Sequence, residues 1–156
     1  MYDRVLLPTD GSPGTEAAAE QALAVARRFG AQLDVLHVVD TSVLPLDSHS
    51  QAAFQELESE GRRSVESLTD RAREVGLEEV TGTVLRGDPE QVIVDYASNN
   101  DVDLVVMGTH GRTGLDRVLL GSVTERVLRL SPVPVLTVPL SAASRSDEET
   151  ADVAPE

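Results

Sequence analysis

The chain has no cysteine, no lysine and no tryptophan among its 156 residues. Without cysteine there is no disulfide framework and no thiolate to act as ligand or nucleophile. Without lysine a Walker-type phosphate loop cannot be assembled, because that motif uses a lysine to reach the terminal phosphates. Aromatic residues are 3% of the chain against 40% hydrophobic residues, so a core has to be built from valine, leucine and alanine. No apolar run approaches the ~20 residues needed to cross a bilayer. Met1-Tyr2-Asp3-Arg4 leads straight into a strand-like run, so secretion and membrane insertion lack support and the expected compartment is the cytoplasm.

Positive charge is also scarce. There are 27 acidic residues against 13 basic ones, all arginine, for a net charge of -14. Such a surface repels nucleic-acid phosphates and anionic lipids, which argues against either as a partner. Acidity without lysine suits a halophilic cytoplasm, where salt screens the self-repulsion; arginine-rich codon usage plus an acidic tail is the alternative source. The halophilic reading carries an expectation: the melting temperature should climb from dilute buffer to molar potassium chloride.

The length suits one domain with a real core. Apolar runs alternate with helical patterns, which predicts βαβ units and a parallel sheet. Ser12-Pro13 reads as an N-cap with proline at the first helical position, and that helix runs through Ala19, Ala22, Leu23 and Ala26 to Phe29 before Gly30. Leu33 to Val39 is a second strand. Phe54, Leu57, Gly61, Val65, Leu68, Ala72 and Val75 then recur at three- and four-residue spacing, one face of a long helix ended by Gly76. Val80 to Leu85 is a third strand, and Asp88-Pro89-Glu90-Gln91 caps a helix whose inner face is Val92, Ile93, Tyr96 and Ala97. Leu104 to Met107 and Val133 to Val138 are the fourth and fifth strands. Pro134 inside the last one removes a ladder donor, which suits an edge. Residues 1–140 are read as the domain and 141–156 as an acidic disordered tail.

The stretch richest in chemistry follows the fourth strand: Gly108-Thr109-His110-Gly111, nine residues, then Gly121-Ser122-Val123-Thr124 opening a helix. Gly108, Gly111 and Gly121 let backbone approach a ligand more closely than a Cβ would allow. Ser122, Val123 and Thr124 present N–H groups, and two hydroxyls, at a helix start that attracts anions. Arg112 adds a guanidinium suited to phosphate; Arg117 is a weaker candidate, and His110 is as well suited to stabilising the loop as to touching phosphate. There is no Gly-x-Gly-x-x-Gly and no Gly-x-Ser-x-Gly. His37, His49 and His110 lack metal-ligand spacing, and Asp101-Val102-Asp103 reads as a strand entry.

Gly-x2-Gly-x9-Gly-Ser/Thr resembles the ATP-binding signature of the universal stress protein family, and the resemblance extends over about residues 2–140. Arg4-Val5-Leu6-Leu7-Pro8-Thr9-Asp10-Gly11-Ser12 is similar to the family's first strand and turn, His37-Val38-Val39-Asp40 to the end of its second strand, and Val133-Pro134-Val135-Leu136-Thr137-Val138 to its last strand. Flavoprotein-like and pyrophosphatase-type nucleotide domains carry different glycine spacings. The resemblance implies an open five-stranded parallel sheet in the order 3-2-1-4-5 with helices on both faces, a Rossmann-like α/β fold. In that order the topology reverses between strands 1 and 4, where ligands bind beyond the carboxyl ends of the strands. Those ends are Pro8, Thr9 and Asp10 on one side and Met107 and Gly108 on the other. The resemblance also places Asp10 near the adenosine and the Val38 backbone at the adenine edge. It implies ATP as ligand and a homodimer joined through the last strand; a Mg2+ ion accompanying the ATP would be held through phosphate oxygens and Asp10. The function so implied is a nucleotide-binding and signalling module with at most slow hydrolysis. The alternatives are an ATPase or phosphotransfer enzyme assisted by His110 or Asp10, and a nucleotide-free dimerisation module.

Overall fold

The computed structural model describes residues 1–43, 45, 50–109 and 120–139. Among them the chain alternates strand and helix: β1 (Arg4–Thr9), α1 (Pro13–Phe29), β2 (Gln32–Asp40), α2 (Gln51–Glu74), β3 (Val80–Gly87), α3 (Pro89–Asn99), β4 (Leu104–Gly108), α4 (Ser122–Leu130) and β5 (Val135–Val138). The strands form one parallel sheet in the order β3-β2-β1-β4-β5. His49, His110, Gly111, Arg112, Arg117 and the tail after Leu140 lie outside the described residues.

Alternation along the strands divides the core. Val5 and Leu7 of β1 join Leu33 and Val35 of β2 in a cluster covered by Ala18, Ala19, Ala22 and Leu23 of α1 and by Val65 and Leu68 of α2. Leu6 and Leu36 face the other way, against Ile93 and Ala97 of α3 and Val127 of α4. Burying each leucine contributes about 1.5–3 kcal/mol, and among the described residues the four fully buried leucines, Leu6, Leu7, Leu33 and Leu36, all sit on β1 and β2. Helices therefore cover both faces, as the near-continuous apolar runs of the central strands require.

Several boundaries differ from the sequence reading. Pro134 precedes β5 rather than lying within it, and its carbonyl accepts the Val105 N–H at 3.0 Å; a residue without an N–H still serves the ladder as an acceptor. The third strand runs on to Gly87, because β2 offers it partners as far as Asp40. Ser12 and Asp88 stand at N-cap positions, but neither makes a side-chain cap bond. The start of α1 is tied down by Asp10 instead, whose Oδ1 accepts the Ser12 N–H and the Thr15 hydroxyl, each at 2.9 Å.

A polar network closes the opposite end of the sheet. Asp34, 2% exposed on β2, accepts hydrogen bonds from Tyr96 at 2.9 Å and Gln32 at 2.9 Å and pairs with Arg4 at 3.5 Å. Burial and the Asp34 charge push the Tyr96 phenol above its ordinary range. A buried carboxylate is tolerable only when satisfied in this way.

One close approach fixes how α1 lies on the sheet. A Cβ at Gly108 would come within 2.7 Å of the Gly14 carbonyl oxygen, a backbone atom that cannot swing aside. Gly108→Ala should therefore destabilise the fold by about 1–3 kcal/mol, read as a lower denaturation midpoint with an unchanged slope. A variant as stable as the wild type would show that α1 can withdraw at no cost.

Candidate functional site

β1 and β4 pair through Val5↔Leu104 and Leu6↔Val105, and their carboxyl ends beyond this pairing frame a cavity of about 480 Å3. That size falls within the roughly 300–1,000 Å3 usual for small-molecule sites. Its walls include Pro8, Thr9 and Asp10 from the end of β1, Met107 and Gly108 from β4, and Gly121, Ser122, Val123 and Thr124 from the start of α4. Val38 lines it from β2. The structure thus brings together ten of the thirteen residues singled out in the sequence; the other three are His110, Gly111 and Arg112.

The α4 end has the chemistry of an anion site. Gly121 occupies the N-cap position and has no side chain to cap the helix, so among the described residues the first-turn N–H groups have no side-chain acceptor. Ser122 is exposed, whereas Thr124 is 4% exposed and donates its hydroxyl to the Gly108 carbonyl at 2.9 Å. Thr124 therefore ties α4 to β4, and its N–H is the group left for a ligand. The Gly121 N–H donates to the Thr109 carbonyl at 2.7 Å and the Thr109 N–H to Val138 at 3.0 Å, which closes the end of the sheet beneath the helix. Gly121 has φ -58°, an ordinary value for any residue, so its backbone conformation does not call for glycine.

The β1 end is held just as firmly. The buried Thr9 hydroxyl lies 3.3 Å from Ser64 and accepts the Gly11 N–H at 3.1 Å. His37 Nδ1 lies 3.0 Å from the Thr9 carbonyl; a carbonyl only accepts, so that nitrogen carries the proton. Asp10 uses Oδ1 to hold the turn, a structural duty beside its place on the wall. Among the described residues no group of three or more histidine, cysteine, aspartate or glutamate side chains is arranged to hold a metal ion.

The sequence reading missed part of the wall: His37 and Asp40 on β2, Leu57 and Glu60 on α2, and Pro89 and Ile93 on α3. His37 was legible, since it stands one residue before Val38 at the carboxyl end of a strand beside the switch point. Leu57 and Glu60 were not, because only tertiary packing brings α2 over this crevice.

Asp88 and Glu90 flank Pro89, which lines the cavity at the start of α3. The hydrogen bond shared with Glu90 raises the Asp88 carboxyl above its ordinary range, and burial and the charges of Glu90 and Asp40 add to it. Burial opposes ionisation of Glu90, but bonds from Asp88, its own backbone and Arg126 outweigh it and hold Glu90 below the usual range. Because the folded chain holds the Asp88 proton more tightly than the unfolded one, ionising Asp88 destabilises the fold above the raised pKa, and the penalty fades as pH falls toward the ordinary value. Asp88→Asn, which keeps a good N-cap residue, should raise the melting temperature near neutral pH and lose that gain in acid. A gain that persists in acid would rule out this proton linkage.

Residues 1–139 match the Universal stress protein family. The universal stress protein MJ0531 of Methanocaldococcus jannaschii is 38% identical over 141 residues, covering 88% of this chain and 82% of its own length. YxiE of Bacillus subtilis is 30% identical over 148 residues, covering 88% and 99%. The solved structure of MJ0577 from M. jannaschii superposes with a TM-score of 0.82 at 32% identity, covering 90% of this chain and 98% of that one. A universal stress protein in complex with cAMP superposes with a TM-score of 0.69 at 26% identity, covering 90% and 98%. The matched length, these identities and the observed sheet order agree: the chain belongs to the universal stress protein family.

Proposed function

We propose that this protein binds an adenine nucleotide, with ATP as the leading ligand, and works as a nucleotide-dependent signalling module. The observation that carries the reading is the cavity at the switch point, which has the uncapped start of α4 on one side and the apolar residues Val38, Ile93 and Met107 on another. A flat base suits the apolar wall, and phosphates suit the N–H groups of Ser122, Val123 and Thr124. The glycine signature and the cAMP-bound relative support the same ligand class. Mg2+ would come with the nucleotide, held chiefly by phosphate oxygens, since Asp10 already spends Oδ1 on its turn. When bound, ATP would supply a reactive phosphoanhydride. The described cavity residues would hold and orient such a ligand.

The direct experiment is to denature the purified protein and identify any released nucleotide by chromatography. Recovery of an adenine nucleotide near one per chain is the expected result, whereas ADP accumulating from added ATP would favour the enzymatic reading. Gly121→Val should abolish ATP binding in calorimetry while leaving the melting curve in place, because the side chain fills space between the α4 start and the phosphates. Unchanged affinity in a folded variant would refute the site.

The same reading includes a homodimer through β5. This strand is one edge of the sheet, and Leu136 on it is 38% exposed, with Leu128 and Leu130 of α4 exposed at 40% and 54%. An exposed apolar edge invites pairing with a second chain. Light scattering at high salt should give twice the monomer mass, and Val135→Asp should give the monomer. A wild type already monomeric at micromolar concentration would exclude the dimer.

A further inference from the structure

Helix α2 contributes two side chains to the cavity, Leu57 and Glu60, one turn apart on the same side of the helix. Their position follows from an unusually close approach. A Cβ at Gly61 would come within 2.4 Å of Cδ2 of His37, so α2 can lie against the carboxyl end of β2 only with glycine there. The Thr9 and Ser64 hydroxyls meet one turn further along. The segment from Leu57 to Ser64 is thereby pinned over the ends of the two central strands, with Glu60 on the cavity wall.

The charge of Glu60 is unanswered among the described residues. Two residues earlier, Glu58 is engaged by Arg86 and Arg62. Glu60 is exposed and has no hydrogen-bond or ion-pair partner among the described residues. Among those residues no arginine lines the cavity either, and His37 is the one imidazole on its wall. The cavity is therefore polarised, with N–H groups of α4 on one wall and a carboxylate with unfilled acceptor capacity on another. A nucleotide is polarised in the same sense: its phosphates accept, while its ribose hydroxyls and exocyclic amino group donate.

We propose that the Glu60 carboxylate is a specificity-determining acceptor, taking a hydrogen bond from an N–H or O–H donor on the nucleoside half of the ligand. This rests on the adenine-nucleotide reading given above. A carboxylate is the stronger acceptor because charge-assisted hydrogen bonds exceed neutral ones, and it rejects a ligand that presents a carbonyl at the same place.

The test is titration calorimetry of the wild type, Glu60→Ala and Glu60→Gln with ATP, 2′-deoxy-ATP, 3′-deoxy-ATP and purine riboside triphosphate, which lacks the amino group. Both substitutions are on an exposed helical position, and matching melting curves verify the fold. Glu60→Ala should weaken ATP binding by about tenfold, and Glu60→Gln, which keeps an acceptor oxygen, by less. One of the three analogues should lose a similar factor with the wild type and nothing further with Glu60→Ala; which one identifies the donor as ribose or base. Unchanged ATP affinity in Glu60→Ala would overturn the proposal, as would analogue and variant losses that simply add. Tighter ATP binding in both variants would overturn it too, leaving Glu60 as a charge that only repels phosphate. A wild type that binds no adenine nucleotide would instead overturn the nucleotide reading itself.

Discussion

The contact on which most of the architecture depends is backbone against backbone, at Gly108. The Gly14 carbonyl oxygen of α1 lies 2.7 Å from where a Cβ of residue 108 would be, so α1 settles onto the sheet at a distance that a larger residue would forbid. Ala18, Ala19, Ala22 and Ala26 continue that approach along the helix, each fully buried. The same residue is the junction for α4, since its carbonyl accepts the Thr124 hydroxyl, and Thr109 beside it links β5 and Gly121. Four elements are thereby referenced to one point at the end of β4, and the cavity walls inherit their spacing from it. Packed interiors transmit such constraints because they have few voids to absorb a displacement.

A core with almost no aromatic residues needs this closeness. Valine, leucine and alanine bury little area each, and a thin helix–sheet layer of small side chains compensates by bringing backbones together. Gly61 against His37 and Gly82 against Val65 repeat the device for α2 on β2 and β3. The two ends of the sheet are treated differently. At one end, Arg4, Gln32, Asp34 and Tyr96 satisfy one another and hold the strands in register. At the other, N–H groups of α4 and the Glu60 carboxylate are left with capacity for something else. Satisfied polar networks specify a fold, and unsatisfied polar groups at a crevice mark a place where a ligand completes the chemistry.

Charge is handled by arginine alone. Arg71 links α2 to Glu16 of α1, Arg86 links β3 to Glu58 of α2, and Arg126 links α4 to Glu90 of α3. An exposed pair such as Arg71–Glu16 contributes at most about 1 kcal/mol, whereas in Arg126–Glu90 the carboxylate is buried. Their value lies in where they are: each joins two elements and cancels a carboxylate in a chain carrying 14 excess negative charges. Arg86 also lies over the Phe54 ring, 5.4 Å from its centroid, a contact that suits a flat, weakly hydrated guanidinium.

Periodicity and punctuation determined the elements. Ser12-Pro13 and Gly30 bracket α1 within a residue, the glycine spacing after β4 pointed to the start of α4, and the apolar runs placed every strand to within a few positions. These features were legible because a strand alternates, a helix repeats and a glycine or proline interrupts, whatever the rest of the chain does. The order of the strands followed from likeness to a family and not from pattern, since nothing local records which strand lies beside which. The tertiary structure alone decided that Gly108 is a packing glycine, that the Thr124 hydroxyl is spent on a carbonyl, and that α2 brings Leu57 and Glu60 to the cavity. Each depends on atoms far apart in sequence meeting at a distance of a few ångströms. Spacing along a chain carries the period of an element, whereas the separation between two elements is set by what packs between them.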